Sequence, residues 1–517
     1  MKVILTPFQL LWKIVSFVLR IFTTKFYLYL TMILVQLVYL VVMSLWLTSA
    51  GWVSAVGVGI TWIMVFVILN RDENLNYKVA WIILILMVPT VGGILYLIMG
   101  NKRPAFWLRR KLRPGKKKMA QTMTSDAEVS SRILKPSLIS RRYLEYMDFP
   151  VYQNTRAQYY ELGDYNYYDL LKDLSGAKKF IFIEYFIVSE GIMMETIMKI
   201  LAQKVREGVD VRLIYDDFGS FAQLPYHFKK KLTDAGIKYV SFNKFVPFFF
   251  VSQNYRDHRK ICVIDGSIGY SGGLNLADEY INAKERFGHW KDAGVRIEGE
   301  AVWTLTALFL STFYAYHPEM MGEDTEQFRP EDKDYGADGY VLPYADDPLD
   351  DEDVGENVYY NLITHARSEI CIMTPYFIID DTMMKALHLA VANGVRVKLF
   401  TPHIPDKKIV FRVTRSYYYD LIAKGVEVYE YTPGFLHSKV VMADNQAAVV
   451  GTINFDYRSF YLHFENAVLL YRCDKALRQI RRDFEALEKK STLVGLNASK
   501  AYRGPVEAFL NFLSPLM

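Results

Sequence analysis

The chain has 517 residues, 51% of them hydrophobic and 15% aromatic, with a formal net charge of +5 at pH 7. This length allows two or three domains, and so high an apolar fraction argues against a purely soluble protein. Residues 101–118 carry nine lysines and arginines and no acid, which leaves the remainder at −4. That balance argues against a broad basic surface, and we predict no nucleic-acid partner.

Three apolar runs lie before the basic tract, at residues 26–48, 52–69 and 79–99. Each is close to the roughly 20 residues that a helix needs to cross a bilayer, so we predict a membrane region over residues 1–100 with two or three transmembrane helices. A cleaved signal peptide is the poorer interpretation, because further apolar runs follow the first. Residues 8–22, interrupted by basic side chains, are typical of an interfacial helix. The number of spans and the orientation of the N-terminus stay open.

The basic segment at residues 101–118 directly follows the third apolar run. Such a flank is typical of the cytoplasmic side, so the sequence predicts a multi-pass protein of the cell membrane with the following part of the chain in the cytoplasm. Attraction to anionic lipid is the preferred interpretation of the segment, and nucleic-acid binding is the alternative. Three widely separated cysteines suggest neither a disulfide framework nor a zinc site, and they are Cys262, Cys371 and Cys473.

Two stretches after the basic segment share one order of predicted elements. Strand-like runs begin at Phe180 and Glu369, and each is followed by a helical stretch and a second strand-like run, at Gly208 and Gly394. Strand, helix and strand with a helix-terminating Gly indicate βαβ units. We therefore predict an α/β fold with a largely parallel sheet, duplicated within the chain.

The duplication divides the rest of the chain. We assign residues 119–321 to the first half and residues 358–517 to the second. Residues 322–357 are heavily acidic and indicate an exposed linker with a short strand near Tyr340. A metal site is the alternative for so many carboxylates, but a solvated charge run is much commoner.

One pattern, His-x-Lys-x-x-x-x-Asp, occurs once in each half. Its members are His258, Lys260 and Asp265 in the first half, and His437, Lys439 and Asp444 in the second. Each copy is followed at identical offsets by a Gly and an Asn, which are Gly272 with Asn275 and Gly451 with Asn454. Two copies with the same downstream residues are hard to assign to chance, and they predict one site shared between the halves.

The surroundings of the two copies differ by an insertion. Between the preceding Gly-led strand and the motif, the first half has ten more residues than the second. The insertion contains the sequence FVPFFF at residues 245–250. It is either a loop that enters the membrane interface or a hydrophobic plug under a long loop, and the sequence does not separate these interpretations.

The motif residues suit phosphodiester chemistry. In a strand, residues i and i+2 point to the same face, so His258 with Lys260, and His437 with Lys439, project together. Two Lys and two Asn amides can neutralise and hold a phosphate without a metal ion or another cofactor. Two histidines allow one to attack phosphorus while the other protonates the departing oxygen, which predicts a covalent phosphohistidine.

Three carboxylates have predicted supporting roles. Asp265 and Asp444, counted with the catalytic motif, are expected to orient side chains or strands. Glu465 is expected to hydrogen-bond a catalytic imidazole and fix its tautomer. The remaining histidines are interpreted as ordinary core or surface residues, and they are His227, His289, His317, His365, His388, His403 and His463. A zinc site is disfavoured, because a Lys two residues after each motif His repels a cation.

The motifs resemble those of the phospholipase D superfamily, and their surroundings resemble bacterial cardiolipin synthases. The matching stretches of the first half are LIYDDFGS at Leu213, NYRDHRKICVIDG at Asn254, GGLNLADEYI at Gly272 and WKDAGVRIEGEAV at Trp290. Those of the second half are TPYFIID at Thr374, GFLHSKVVMADN at Gly434 and GTINFDYRSF at Gly451. The resemblance begins at the apolar stretch from Trp81 and covers most of the chain.

The resemblance implies transfer of a phosphatidyl group from one phosphatidylglycerol to another, giving cardiolipin and glycerol. It implies that His258 is the nucleophile and His437 the acid and then the base, a choice that the near-symmetry of the sequence does not make. Phosphatidylglycerol and anionic membrane lipid are the expected partners, and the oligomeric state is not predicted. Arg412, Arg415 and the tyrosines 417–419 either contact head groups or belong to an amphipathic helix with a Tyr core, which we favour.

Two alternatives from other classes stay open. One is a phosphodiesterase or nuclease of the same superfamily, against which the predicted membrane spans argue. The other is an inactive membrane scaffold, against which the two intact motifs argue.

Overall fold

A computed structural model describes residues 38, 42, 51–71, 74–87, 92, 93, 95–100, 106–124, 126–132, 141–246, 253–350 and 352–516. The chain divides into two compact units. The first comprises Met1–Ala105 and Asn243–Asn254, and the second comprises Phe106–Phe242 and Tyr255–Met517.

The described part of Met1–Ala105 is largely helical. It contains α1 (Gly51–Leu69), α2 (Leu75–Met87) and a short π-helical turn at Tyr96–Gly100. None of the helices in the described ranges combines the length and the apolar character that crossing a bilayer requires. The predicted spanning helices are therefore not confirmed. The described residues of the runs at 52–69 and 79–99 lie in or beside α1, α2 and the π-helical turn. The run at 26–48, apart from residues 38 and 42, and residues 247–250 of the FVPFFF loop lie outside the described residues.

The second unit contains two sheets, one for each half of the sequence. The strands of the first half are β1 (Thr155–Tyr160), β2 (Phe180–Tyr185), β3 (Asp210–Asp216), β4 (Lys238–Phe242), β5 (Arg256–Asp257), β6 (Lys260–Ile264), β7 (Ile268–Gly272), β8 (His289–Lys291) and β9 (Gly294–Gly299). Those of the second half are β10 (Tyr340–Asp346), β11 (Glu369–Met373), β12 (Arg396–Pro402), β13 (Glu427–Tyr431), β14 (Gly434–Leu436), β15 (Val440–Ala443), β16 (Ala447–Gly451), β17 (His463–Tyr471) and β18 (Ser491–Leu493).

Helices cover both sheets. Their bounds are α3 (Phe106–Ala120), α4 (Ala127–Arg132), α5 (Arg141–Tyr146), α6 (Gly163–Gly176), α7 (Ile192–Arg206), α8 (Asp217–Ser220), α9 (Phe228–Asp234), α10 (Val302–Tyr316), α11 (Val354–His365), α12 (Asp381–Ala392), α13 (Lys408–Ser416), α14 (Tyr418–Ala423), α15 (Tyr457–Tyr461), α16 (Asp474–Lys489), α17 (Leu496–Ser499) and α18 (Pro505–Leu513). Short 3-10 segments lie at Asp278–Ile281, Pro318–Met320, Thr325–Phe328, Lys500–Tyr502 and Ser514–Leu516.

The strand order confirms the predicted duplication. The first sheet runs β1-β9-β7-β6-β2-β3-β4, and the second runs β10-β17-β16-β15-β11-β12-β13, followed by β18. Each step of one order has its counterpart in the other. The central strands are apolar because both faces are covered, and all six residues of β2 are buried.

The prediction of a largely parallel sheet is wrong, because each sheet is mixed. Along the two strand orders given above, the parallel neighbours are β2, β3 and β4 and their counterparts β11, β12 and β13. The strand that contains or follows each motif Lys instead turns back through a three-residue turn, since Ile264 pairs with Ile268 and Ala443 with Ala447. Asp265 and Gly266 have φ of 51° and 73°, and Asp444 and Asn445 have φ of 50° and 57°, which is the left-handed pair that a type I′ hairpin turn requires.

Glycines end the helices that precede the second strand of each half, as predicted. Gly208 and Gly394 have φ of 89° and 85°. The next amide in each case, that of Val209 or Val395, reaches back to a carbonyl of the last helical turn at 3.0 Å. This closure satisfies carbonyls that a helix end would leave without donors.

The two halves exchange short strands. The strand just before His258, β5, pairs in parallel with β17 of the second half, and the strand just before His437, β14, pairs in parallel with β8 of the first half. Asn466 adds to this seam, since its Nδ2 donates to Ser271 Oγ at 2.8 Å and its Oδ1 accepts from the amide of Lys260 at 3.2 Å. The exchange brings both motif histidines to the boundary between the halves.

The predicted basic segment and acidic linker both contain regular structure. Much of the basic segment lies in α3, where Lys118 Nζ donates to the carbonyls of Met321 and Glu323 at 2.7 and 2.8 Å. The acidic linker holds β10, as the expected strand near Tyr340, and the start of α11. Part of the charge in both regions is therefore used in contacts within the protein.

Candidate active site

His258 is held by the second half of the chain. Its amide donates to the carbonyl of Phe464 at 2.9 Å, which continues the pairing of β5 with β17. Its Nδ1 lies 2.8 Å from Glu465 Oε2 and 3.0 Å from Oε1. The prediction that Glu465 contacts a motif imidazole agrees with this geometry, and the imidazole is that of the other half.

His437 is held by the first half in the reciprocal way. Its amide donates to the carbonyl of Lys291 at 2.7 Å, and its Nδ1 lies 2.7 Å from Asp292 Oδ2. A carboxylate only accepts hydrogen bonds, so it favours the neutral tautomer that carries its proton on Nδ1 and keeps the lone pair of Nε2 for a substrate. Each half thus supplies one histidine and the carboxylate that orients the histidine of the other half.

Asp292 is a site residue that sequence reasoning missed. Gly272 pairs with Gly294, two residues after Asp292, and Gly451 pairs with Ala467, two residues after Glu465. The two carboxylates therefore occupy the same register position in the two sheets. The signal was present, since Glu465 lies in the strand that pairs with Gly451, and Asp292 lies just before the strand that pairs with Gly272.

The motif glycines allow this close pairing. A Cβ added at Gly272 would lie 2.5 Å from the carbonyl oxygen of Ala293, and one added at Gly451 would overlap the Cβ of Ala467. The first position also has a φ of 145°. The identical Gly of both motifs thus brings the carboxylate strand up against the motif hairpin.

Aromatic rings flank both imidazoles. The His258 ring packs against both Phe186 and His463, with ring centres 5.0 and 5.4 Å away. His463 also approaches Glu465, with Nδ1 3.7 Å from Oε1. The structure therefore places His463 beside the site, a position that the sequence did not indicate. Sequence alone does not show which strand docks beside His258, and that contact depends on the strand exchange.

The two motif lysines are buried beside the imidazoles. Lys260 Nζ donates to the carbonyl of His258 at 2.6 Å, and Lys439 Nζ donates to the carbonyl of His437. Burial lowers the pKa of Lys260 to about 7, with a further lowering by Lys439 and an opposing contribution from Glu465. Burial also lowers the pKa of Lys439 to about 8, against the opposing charges of Asp292 and Glu465. An entering anion would relieve this crowding of positive charge.

Both imidazoles are neutral at neutral pH. Burial, together with the charges of Lys260 and Lys439, lowers the pKa of His258 well below its ordinary value. Burial and Lys439 lower the pKa of His437 to about 4, although Asp292 opposes the shift. A neutral ring is a nucleophile, whereas an acid must first gain a proton.

Comparisons with known proteins agree with this arrangement. The family model described as "Cardiolipin synthase, PLD-like domain" matches residues 170–300 and 359–488, and the model described as "Phospholipase_D-nuclease N-terminal" matches residues 59–101. A cardiolipin synthase of Alkalihalophilus pseudofirmus is 33% identical over 87% of this chain and 91% of its own length. The chain belongs to the cardiolipin synthase family. It is accordingly a phosphatidyltransferase.

Two further similarities extend the comparison. Cardiolipin synthase 2 of Bacillus cereus is 35% identical over 87% of this chain and 89% of its own. The crystal structure of a phosphatidylserine synthase of Haemophilus influenzae superimposes with a TM-score of 0.55 at 15% identity, covering 71% of this chain and 95% of that one. This second likeness shows the fold alone.

In this member of the cardiolipin synthase family, the motif Asp residues lie away from the imidazoles. Asp265 accepts hydrogen bonds from the amides of residues 178–180, at 2.7–3.0 Å, and Asp444 accepts from the amides of residues 367–369, at 2.8–3.0 Å. Each carboxylate sits in the hairpin turn at the far end of the motif strand and caps the start of the neighbouring central strand. The prediction that counts Asp265 and Asp444 with the catalytic residues is corrected, since their contacts agree with the expected role of orienting strands.

The motif Asn residues are buried near the seam. Asn275 Oδ1 accepts from the amide of Ile187 at 3.0 Å, and its Nδ2 donates to Tyr280 Oη at 2.7 Å. Asn454 Nδ2 donates to Ser459 Oγ at 3.1 Å, while its Oδ1 has no hydrogen-bond partner among the described residues. The Asn275 amide is therefore engaged by protein, and Asn454 retains capacity for a substrate.

The structure also locates the residues of the other interpretations raised by the sequence, namely a metal site, a head-group contact and the cysteines. The ligand atoms of His258, His463 and Glu465 lie within 4.8 Å of one another, a spacing that a metal ion could bridge. The absence of a resident metal stays a prediction, supported by the neighbouring Lys260. Arg412 and Arg415 are paired with Glu507 and Glu430. Tyr418 is buried, as the Tyr-core interpretation expected, and the three cysteines are buried and free.

Proposed function

We propose that this enzyme transfers a phosphatidyl group from one phosphatidylglycerol to a second, forming cardiolipin and releasing glycerol. The observation that carries the proposal is the reciprocal pairing of two imidazoles with two carboxylates. It leaves both Nε2 atoms for one substrate, with two lysines alongside. One nucleophile and one acid that later acts as a base are what exchange of one alcohol for another requires.

In the first step, His258 Nε2 attacks the phosphorus of the donor. A P–N bond forms as the P–O bond to the head-group glycerol breaks, and His437 gives its Nε2 proton to that oxygen. Glu465 stabilises the positive charge that develops on His258. The assignment of His258 as nucleophile rests on the family resemblance.

In the second step, the terminal hydroxyl of another phosphatidylglycerol attacks the phosphohistidine. Its proton passes to His437 Nε2, a P–O bond forms and the P–N bond breaks. Free His258 and cardiolipin result, and His437 is again protonated for the next donor. The enzyme therefore needs no external acid or oxidant.

The low pKa of His437 in the free enzyme fits this cycle if the phosphate itself promotes protonation. The negative charge of a bound phosphodiester offsets the charge of Lys439, one of the causes that lower the His437 pKa. Asp292 then stabilises the imidazolium. Lys260 and Lys439 hold the phosphate oxygens, and Asn454 supplies a further polar contact.

The deciding experiment uses purified full-length protein and phosphatidylglycerol labelled in the phosphatidyl group. Label in cardiolipin with release of glycerol supports transfer, whereas label only in phosphatidic acid would mean a phospholipase. His258→Ala should abolish turnover and any acid-labile lipid adduct, and persistence of that adduct would refute its role as nucleophile.

We also propose that the N-terminal part attaches the enzyme to the cell membrane, with the catalytic halves on the cytoplasmic side. Large apolar side chains on α1 and α2 support this, since Ile63, Phe66 and Met87 are 64%, 62% and 72% exposed. Cysteines introduced after residue 118 should be protected from an impermeant thiol reagent in intact cells. Their modification would place this part outside.

A further inference from the structure

The loop between β12 and α13 lies next to the active site but has no part in the mechanism so far. It ends with Asp406 and Lys407, and α13 begins at Lys408. Asp406 Oδ2 accepts a hydrogen bond from Tyr376 Oη at 2.5 Å. Lys407 Nζ lies 4.9 Å from the centre of the same ring. Tyr376 therefore holds both charged residues in place.

Tyr376 connects this loop to the surroundings of His437. It packs against the cluster that contains Tyr280, Trp290 and Phe435. The rings of those three residues lie 5.4, 5.5 and 5.7 Å from the ring of His437. The loop is thus on the His437 side of the site, where the proposed mechanism removes a proton from the acceptor alcohol.

Both charges retain capacity for a ligand. No described residue donates a hydrogen bond to Asp406 Oδ1, and Lys407, which is exposed, forms no ion pair with a described residue. After burial and the motif lysines, Lys407 is also among the charges that lower the pKa of His258. Ile404 and Ile409 of the same segment are 36% and 56% exposed, a suitable border for a lipid.

An acceptor phosphatidylglycerol presents three groups in a row. These are the reacting terminal hydroxyl, the neighbouring secondary hydroxyl and the phosphodiester. A carboxylate suits the secondary hydroxyl and an ammonium suits the phosphodiester, while His437 takes the proton of the reacting hydroxyl. His437, Asp406 and Lys407 thus offer one suitable partner for each of the three groups.

We propose that Asp406 and Lys407 form the acceptor subsite, in which Asp406 binds the secondary hydroxyl of the head group and Lys407 binds its phosphate. This inference rests on the proposed transferase function. The subsite favours a lipid alcohol over water in the second step, because water has neither a neighbouring hydroxyl nor a phosphate to occupy it.

The test offers full-length enzyme three acceptors in detergent micelles of labelled phosphatidylglycerol: the lipid itself, added glycerol with its own distinct isotope label, and added butanol. Transfer to glycerol is measured as entry of the glycerol label into phosphatidylglycerol, because the product is otherwise identical to the donor. Lys407→Ala should reduce transfer to phosphatidylglycerol by about tenfold, the loss of one charge-assisted contact, and leave transfer to glycerol and butanol unchanged. Asp406→Asn should reduce transfer to phosphatidylglycerol and glycerol similarly but spare butanol, which lacks the second hydroxyl. Lys408→Ala, the neighbouring exposed cation, is the matched control.

In both variants the first step should continue, so the ratio of phosphatidic acid to cardiolipin should rise. Lys407→Arg should restore the wild-type ratio. An equal loss with all three acceptors would overturn the subsite, because it would indicate a general defect. If the wild-type enzyme makes no cardiolipin, the proposed function fails instead, and the two failures are distinguishable.

Discussion

The imidazoles of His258 and His437 occupy equivalent positions, but they are supported differently. Glu465, which orients His258, accepts a hydrogen bond from Thr452 Oγ1. The shorter Asp292 accepts from the adjacent amide of Ala293 at 2.8 Å. Gly273 stands where the second half has Thr452, and a Cβ there would overlap the Asp292 carboxylate. The longer Glu465 thus lies beside a Thr that donates to it, and the shorter Asp292 lies beside a Gly that leaves room for it.

The aromatic ring two residues before each carboxylate also differs between the halves. His463 lies two residues before Glu465, and Trp290 lies two residues before Asp292, so the two side chains share a register position. Their ring centres are 5.4 and 5.5 Å from the imidazoles of His258 and His437. The motif is the same in both halves, whereas this register position holds a second imidazole beside His258 and an indole beside His437. A division of labour between two identical side chains is expected to arise from such supports.

The largest expected effects come from removing the carboxylates. Glu465→Gln and Asp292→Asn should each reduce turnover by about 100- to 10,000-fold, because a neutral amide cannot stabilise an imidazolium. A donor with a nitrophenol leaving group needs no proton on departure, so it should restore the first step in the Asp292 variant only. Equal rescue of both variants would mean that the two imidazoles do not have separate roles.

The motif Asp residues should affect stability rather than chemistry. Asp265→Ala and Asp444→Ala should each lower the free energy of unfolding by about 1–3 kcal/mol, because three backbone amides in each half lose a charged acceptor. The turnover number of the remaining folded protein should stay near that of the wild type. Denaturant unfolding in detergent and active-site titration measure the two quantities. A rate loss as large as that of the carboxylate variants would restore these residues to the catalytic group.

The next largest effect on turnover is expected from the aromatic residues two positions before the carboxylates, His463 and Trp290. His463→Phe keeps an aromatic ring beside His258 but loses the polar approach to Glu465, and should reduce kcat by about tenfold with KM unchanged. Trp290→Phe is the matched change in the other half and should have a smaller effect. Steady-state kinetics decide this point, and a larger loss for the Trp290 variant would reverse the comparison.

The smallest expected effect is a dependence of stability on pH. Burial lowers the pKa of His437 to about 4 in the folded enzyme, against an ordinary value of 6.5. Between these values the unfolded chain binds a proton that the folded chain does not, so stability falls as the pH drops. His437→Gln should weaken this dependence by about 1 kcal/mol per pH unit. Unfolding curves at several pH values between about 4 and 6.5 measure the change, and an unchanged slope would contradict it.

Much of this organisation could be predicted from the sequence. The repeated order of elements and the doubled motif indicated two α/β halves around one site, and Glu465 was recognised as a partner for an imidazole. The antiparallel hairpins were readable in principle, since Asp265-Gly266 between two apolar runs is a strong hairpin signal. Asp292 and His463 were not found, because their proximity to the motif histidines depends on strand pairing between residues far apart in sequence.

The exchange of β5 and β14 also makes the two halves mutually dependent. A half produced alone would contain a motif histidine without its carboxylate and a carboxylate without its histidine. A substitution of the carboxylate in one half therefore acts first on the motif histidine of the other half. Such copies cannot diverge freely after a duplication, because every change near Asp292 or Glu465 is selected through a residue that the neighbouring copy encodes.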